Sequence, residues 1–379
     1  MRRGDADKRR TRPECSILRS CRRWGAIGVG LLVALQPTVA SAHVRWFVPE
    51  ERQLQLPDWS LFARWPTLAV LGLSLVLWLA LKGLERLVGT PHFPNPPLLA
   101  HMEPHATTVL ALQTGISLVW FAYQRTLFVP PLALPPTWFG WLLVALQLVV
   151  AFTFITSLFD RAGAALLVLV FLLGFAVFPP EAMLEQLLYA GIAVALFVLG
   201  VTVPPAGVAR RLLPLARFER QAVSALRVLT GFSLVIVAFS EKLLNPDLSQ
   251  SFLREYPHFN VLRALFGWTW ATDRLFGDLA GVVEATIGLL LISGVLTRVV
   301  ILAMWVPFNL TVPLLPPIEL LGHLPIFGIM YLLLLYGSGV APDTAARRLE
   351  PALTGELEAS RRRIRGEGDR RAADRGETG

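Results

Sequence analysis

The chain has 379 residues, of which 54% are hydrophobic and only 16% charged, with a formal net charge of +8. That balance excludes an ordinary soluble domain. The positive charge does not mark a nucleic-acid binder: the basic residues lie in the leader, in short loops and in the tail Arg347 to Arg375, with no basic face interleaved with aromatics.

Residues 1–42 read as a secretory signal peptide with a long basic n-region: an arginine-rich start, an apolar stretch Trp24 to Leu35, and Ala40-Ser41-Ala42 as the cleavage site. Both cysteines, Cys15 and Cys21, precede the apolar stretch. Cleavage therefore leaves a mature chain without cysteine, which excludes a disulfide framework, a thiolate metal site and an iron–sulfur cluster. The new N-terminus would be His43, followed by Val44-Arg45-Trp46-Phe47. A terminal histidine offers an amine and an imidazole, a pair suited to copper, so His43 is a candidate metal ligand.

Apolar runs of close to twenty residues then recur, the length a helix needs to cross a hydrocarbon core. The expectation is an all-α polytopic membrane protein with about nine spans, at roughly 65–81, 106–124, 138–158, 162–178, 183–201, 221–240, 276–295, 299–315 and 322–338. Lys82, Arg86, Arg161, Arg210, Arg211, Arg217, Arg220 and Arg298 fall in alternate loops, which the positive-inside rule assigns to the cytoplasm. The N-terminus is then periplasmic and the C-terminus cytoplasmic, as the signal also requires. His92, His101 and His105 fall in or beside the first cytoplasmic loop and carry no recognised metal-ligand spacing. From 345 to 379 the chain turns Arg-, Glu- and Gly-rich, and a disordered cytoplasmic tail is expected.

An internal duplication organises the spans. Thr114-Gly115-Ile116-Ser117-Leu118-Val119 reappears as Thr230-Gly231-Phe232-Ser233-Leu234-Val235, and further on a second, constant offset pairs Arg161 with Arg298, Pro179-Pro180 with Pro316-Pro317, Gly191-Ile192 with Gly328-Ile329 and Gly200 with Gly337. The domains expected are 43–105 (periplasmic N-terminus, span 1 and cytoplasmic loop), 106–205 (first four-helix unit) and 221–340 (second four-helix unit). Four crossings return the chain to its starting side, so the two bundles are parallel. The second unit has a longer first outer loop, Leu243 to Arg274, whose Phe252, Tyr256, Phe259, Trp268 and Trp270 suggest an amphipathic surface segment or a lid.

The two units differ in their polar residues. Glu241 and Lys242 stand where the first unit has Arg125 and Thr126; Glu284 replaces Gln147, Asn309 replaces Leu172 and His323 replaces Gln186. A charge at bilayer depth costs roughly 2.5–3.5 kcal/mol on insertion scales, so it normally faces a partner or a wet cavity. Glu284, His323, Glu241, Lys242 and Asn309 are therefore the candidate catalytic residues, in the outer half of the second bundle. If Glu284 is instead half of a structural ion pair, Lys242 or a nearby arginine is its partner. Asn309 also suits helix–helix bonding.

Ser240-Glu241-Lys242-Leu243, then Glu284 in a span ending Gly294-Val295-Leu296-Thr297-Arg298, then Gly322-His323-Leu324-Pro325 opening a last span, resembles the DoxX/DoxD-like family of four-span bacterial membrane proteins. The resemblance covers 221–338 well and 106–201 weakly. It implies a bacterial inner-membrane protein linked to quinone or redox metabolism, with other membrane or periplasmic redox subunits as partners. Three roles remain open: a quinone-linked redox subunit with an outward-facing polar cavity, a handler of a small solute or copper through His43, and an assembly factor of a membrane complex. Reporter fusions placed after Arg220 and after Arg347 should both report cytoplasm; a periplasmic signal at either overturns the orientation.

Overall fold

Where no water reaches the backbone, each N–H and C=O must be satisfied within its own segment, so long apolar runs fold as helix. The computed structural model describes residues 44–48, 57–88, 102–201, 215–311 and 318–338. Among these the regular structure is helical, apart from one isolated bridge between Thr126 and Ala133. The expected signal peptide, His43, His92, His101 and the tail lie outside the described residues.

Ten helices carry the fold: α1 (Trp65–Val88), α2 (Ala106–Tyr123), α3 (Trp138–Thr156), α4 (Asp160–Gly174), α5 (Leu187–Leu199), α6 (Glu219–Val237), α7 (Pro246–Glu255), α8 (Asp273–Ser293), α9 (Thr297–Thr311) and α10 (Ile318–Tyr336). Six segments are long and apolar enough to cross a membrane, those containing α1, α2, α3, α6, α8 and α10, and two shorter apolar stretches lie at Leu187–Leu199 and Thr297–Val306. Leu142, Leu148, Val149, Phe152 and Ile155 of α3 are exposed, as are Leu68, Leu73, Leu75, Val76 and Leu79 of α1. Continuous apolar faces of this kind are unsuited to water and suited to lipid. The chain is an integral, multi-pass membrane protein.

α2 packs on α3, α3 on α4, α4 on α5, α5 on α6, α6 on α8, α8 on α9, α9 on α10, and α10 back on α2, which closes a ring. Small residues set the closest approaches. A Cβ on Gly231 of α6 would stand 2.7 Å from the Gly288 carbonyl oxygen of α8, and one on Gly115 of α2 would stand 3.1 Å from the Ala151 oxygen of α3. Arg161 donates to the Val198 carbonyl at 3.5 Å, and Arg298 to the Leu335 carbonyl at 2.8 Å, each beside a glycine with positive φ, Gly200 and Gly337. Arg227 donates to the Leu291 and Ile292 carbonyls, covering the orphan acceptors at the end of α8.

α1 lies outside the ring against α8. It is held by Ser74 Oγ donating to the Val282 carbonyl at 3.3 Å, Trp78 Nε1 donating to Ser293 Oγ at 3.0 Å, and Glu85 Oε1 accepting from the Leu296 N–H at 3.1 Å. Exposed tryptophans gather near the ends of α1, α3 and α8 that begin each helix: Trp59, Trp65, Trp138, Trp141, Trp268 and Trp270. This is the position of an interfacial aromatic belt.

The long loop before α8 divides into two parts. The apolar face of α7 (Leu248, Phe252, Leu253) is buried with Val44, Val48, Phe259 and Phe276, inside protein rather than at a lipid surface. Phe266, Trp268 and Trp270 form an exposed stack with ring centroids 5.2 Å apart at each step.

Because Gly231 and Gly288 bring two backbones together, Gly231→Leu should destabilise the protein by about 1–3 kcal/mol through overpacking. Gly72→Leu, on an open face of α1 with nothing within 4 Å, should be close to neutral. The fraction remaining monodisperse in detergent after heating distinguishes the two.

Candidate functional site

The site begins where α6 ends. Past Val237 the helix widens into a π turn, Ala238–Leu243, closed by the Leu244 N–H donating to the Phe239 carbonyl at 2.8 Å. A π turn fits an extra residue into the ladder and is common at functional sites. Here Ser240, Glu241, Lys242 and Leu243 are all buried in succession. Around this turn gather the segment Val44–Phe47, Glu185 just ahead of α5, Glu284 of α8, and Glu319 and His323 on the first turns of α10.

Three linked groups make up the cluster. Arg45 lies between two carboxylates, its Nη2 3.2 Å from Glu185 Oε1 and its Nε 3.8 Å from Glu241 Oε1. Ser240 Oγ donates to Glu185 Oε1 at 2.6 Å, and Ser233 Oγ donates to the Glu185 carbonyl. Lys242 Nζ donates to Glu284 Oε2 at 2.8 Å. His323 Nδ1 is 2.8 Å from the Glu319 carbonyl oxygen and 3.3 Å from Glu319 Oε1. Those two acceptors place a ring proton on Nδ1, which makes Nε2 the second proton site of the ring. Trp46, Phe308 and Phe327 enclose the imidazole, with ring centroids 5.2, 4.9 and 6.5 Å away.

Arg45 with Glu185 and Glu241, Lys242 with Glu284, and Glu319 with His323 are thus three separate polar contacts, and Arg45, Glu185, Glu241, Lys242, Glu319 and His323 are all less than 5% exposed. The sequence suggested an outward-facing polar cavity. Among the described residues these side chains are buried, and α7 packs on the segment Val44–Phe47 that carries Arg45 and Trp46. Of the five residues proposed from sequence, Glu241, Lys242, Glu284 and His323 come together here. Asn309 does not join them: it is exposed and its Nδ2 donates to the Trp305 carbonyl one turn back on its own helix, at 2.7 Å.

No family model, no curated protein and no solved structure matches the chain. The site must therefore be read from its own chemistry. Among the described residues, no group of three or more His, Cys, Asp or Glu side chains is arranged to hold a metal ion. His105 is exposed and apart from the cluster, and His43 lies outside the described residues.

Arg45, Trp46, Glu185 and Glu319 were not among the sequence candidates. Glu319 had a usable signal, since it precedes His323 by four residues and so shares its helix face. Glu185 is next to Gln186, which the sequence offset aligns with His323, and it stands at the start of an apolar run.

At the positions that the sequence offsets align with Lys242 and Glu284 stand Thr126 and Gln147. Gln147 Nε2 donates to the Leu118 and Thr126 carbonyls at 3.0 and 3.2 Å, and its Oε1 accepts from the Phe128 N–H at 3.3 Å. An amide at this depth is satisfied when its neighbour is neutral. Glu284→Gln alone leaves the buried Lys242 ammonium without its carboxylate and should cost about 3 kcal/mol, in the range for breaking a buried pair. The double variant Lys242→Thr, Glu284→Gln installs the Thr126–Gln147 pairing and should recover most of that loss. Detergent stability over a double-mutant cycle measures the coupling; additive losses would show that the two side chains do not act as a pair.

Proposed function

We propose that the chain is a nine-span bacterial inner-membrane protein resembling the DoxX/DoxD-like family, built from two parallel four-helix units after a cleaved signal, with its N-terminus in the periplasm. The cluster serves as the proton-handling site of a quinone- or redox-linked membrane subunit. The reading of two related units is supported by contacts that recur at the sequence offsets. Arg161 and Val198 correspond to Arg298 and Leu335; Gly115 and Ala151 correspond to Gly231 and Gly288; Thr126 and Gln147 correspond to Lys242 and Glu284.

One observation carries the functional reading: a carboxylic acid and an imidazole, Glu319 and His323, are buried against each other beneath aromatic rings at the belt end of an integral membrane protein. Burial of this kind is costly, and groups retained under such a cost normally serve a function. Imidazole exchanges protons near neutral pH, and Nδ1–H bonding to the Glu319 carbonyl orients the ring for exchange through Nε2. Glu185 and Glu241, sharing Arg45, supply further carboxylates on the same face of the fold. In this reading Lys242 and Glu284 are the fixed electrostatic frame, and Glu319 and His323 are the exchanging pair.

Protein purified from its own membranes in mild detergent should retain a quinone or a redox partner detectable by mass spectrometry. His323→Gln should fold to normal abundance and lose at least tenfold of that retention. Unsubstituted protein that carries neither quinone nor redox partner would overturn the assignment.

A further inference from the structure

The ring of helices closes at two places where the proposed units meet, α5 against α6 and α10 against α2. At the first, a Cβ on Gly191 would lie 3.2 Å from Leu226 Cα and 3.3 Å from Leu229 Cβ. At the second, a Cβ on Gly328 would lie 2.9 Å from Leu110 Cα and 3.0 Å from Gln113 Oε1. Gly191 and Gly328 are one equivalent pair under the repeat; Leu226 with Leu110, and Leu229 with Gln113, are two more. The last helix of each unit therefore presents the same glycine to the same turn of the other unit's first helix. Contacts that exchange in this way define an isologous interface, the arrangement of a twofold dimer.

The segment Val44–Phe47 breaks that symmetry in a specific manner. Arg45 engages Glu185, while Trp46 packs on Gly322, where any Cβ would overlap the indole ring. Glu185 and Gly322 are again equivalent positions of the two units. Neighbouring residues of one segment thus touch the same place in both units. The two equivalent positions receive different groups, the guanidinium at Glu185 and the indole at Gly322, which accounts for a carboxylate at one and glycine at its mate. The same guanidinium also reaches Glu241 of the second unit, so the segment holds both.

We infer that the two units are joined by one interface used twice about a pseudo-twofold axis, and that residues 44–48 form a strap across this axis that clamps one unit to the other. The inference rests on the repeat proposed above. It makes the polar cluster a junction site, with Glu185 from one unit, Glu241, Glu284, Glu319 and His323 from the other, and the strap between them.

The test uses the full chain with Cys15→Ser and Cys21→Ser and a protease site inserted between Val201 and Leu215. Cysteine pairs are placed at each junction, Gly191→Cys with Leu229→Cys and Gly328→Cys with Gln113→Cys. A Cβ on Gly191 would stand 3.3 Å from Leu229 Cβ, close to the roughly 3.5–4.5 Å that a disulfide spans, and 113 and 328 are the equivalent positions at the other junction. After oxidation in the membrane and cleavage, each pair should hold the two fragments together on a non-reducing gel, to within about twofold of one another. The mismatched pair Gln113→Cys with Leu229→Cys, one cysteine on each fragment and on helices α2 and α6 that do not pack closely on each other, should leave them apart. If only the 191–229 pair links, both the repeat and the twofold junction fail.

The strap is tested separately, on the nicked chain without introduced cysteines. Its fragments should co-purify in mild detergent, and Arg45→Ala with Trp46→Ala should raise the dissociated fraction at least fivefold. The same double substitution in the cysteine-paired chains reports on folding: links formed in the membrane show that the units still assemble. Unchanged co-purification with both links intact overturns the clamp and leaves the twofold junction standing.

Discussion

A guanidinium held out of water between Glu185 and Glu241 is the constraint on which the belt end of this protein depends. Arg45 comes from a short segment ahead of the first span, Glu185 from the turn before α5, and Glu241 from the π turn after α6. No two of these segments are neighbours in sequence, so the ion pair fixes where each lies relative to the others. Its contribution to net stability need not be large. Desolvating three charged groups costs several kcal/mol per ion, and their attraction offsets that cost only when the remaining hydrogen bonds are also made. Ser240, donating to the same Glu185 oxygen, supplies one such bond. The arrangement is better understood as specifying one geometry, since Arg45 is the one cation that both carboxylates share.

Trp46 extends the same constraint. Once Arg45 is seated, the next side chain is carried onto Gly322 and over the His323 ring. The segment that closes the cluster also sets the surroundings of its imidazole. Phe47 continues into the aromatic group with Phe252 and Tyr256, which ties α7 to the segment and excludes water from above. Polar interactions below and apolar packing above therefore act on the same five residues. This explains how a stretch with one turn of helix and no sheet partner is nonetheless buried.

The parts of this structure legible in sequence are those governed by short-range rules. Apolar runs of membrane length became helices, because a bilayer leaves the backbone no other way to satisfy itself. Glu241, Lys242, Glu284 and His323 were recognisable because each is a costly residue in an apolar span. Their convergence followed from placing all of them near one end. The Lys242–Glu284 contact was foreseeable for the same reason. Arg45 and Glu185 were not, since Arg45 lies ahead of the first span and Glu185 at the start of another, where a charge is cheap and usually means only an interface. Asn309 went the other way: a polar residue in an apolar helix satisfied itself on the Trp305 carbonyl, a bond that spacing alone cannot distinguish from a cross-helix one. The π turn was invisible because it depends on which groups the widened backbone can bury, not on propensity.

The proposed repeat adds a reason for the chemistry to lie in one half. A twofold arrangement of two similar units offers two equivalent polar positions at its belt end, and the strap brings a different group to each. The position that received the guanidinium had to supply a carboxylate, and the other had to clear space for the indole. Gly322 clears that space and brings His323, the next residue, under the ring of Trp46. At the equivalent place in the first unit the residue after Glu185 is Gln186, a group that cannot exchange a proton. The asymmetry of the strap and the asymmetry of the titratable groups are then one event: the side that made room for tryptophan is the side on which an enclosed imidazole became useful.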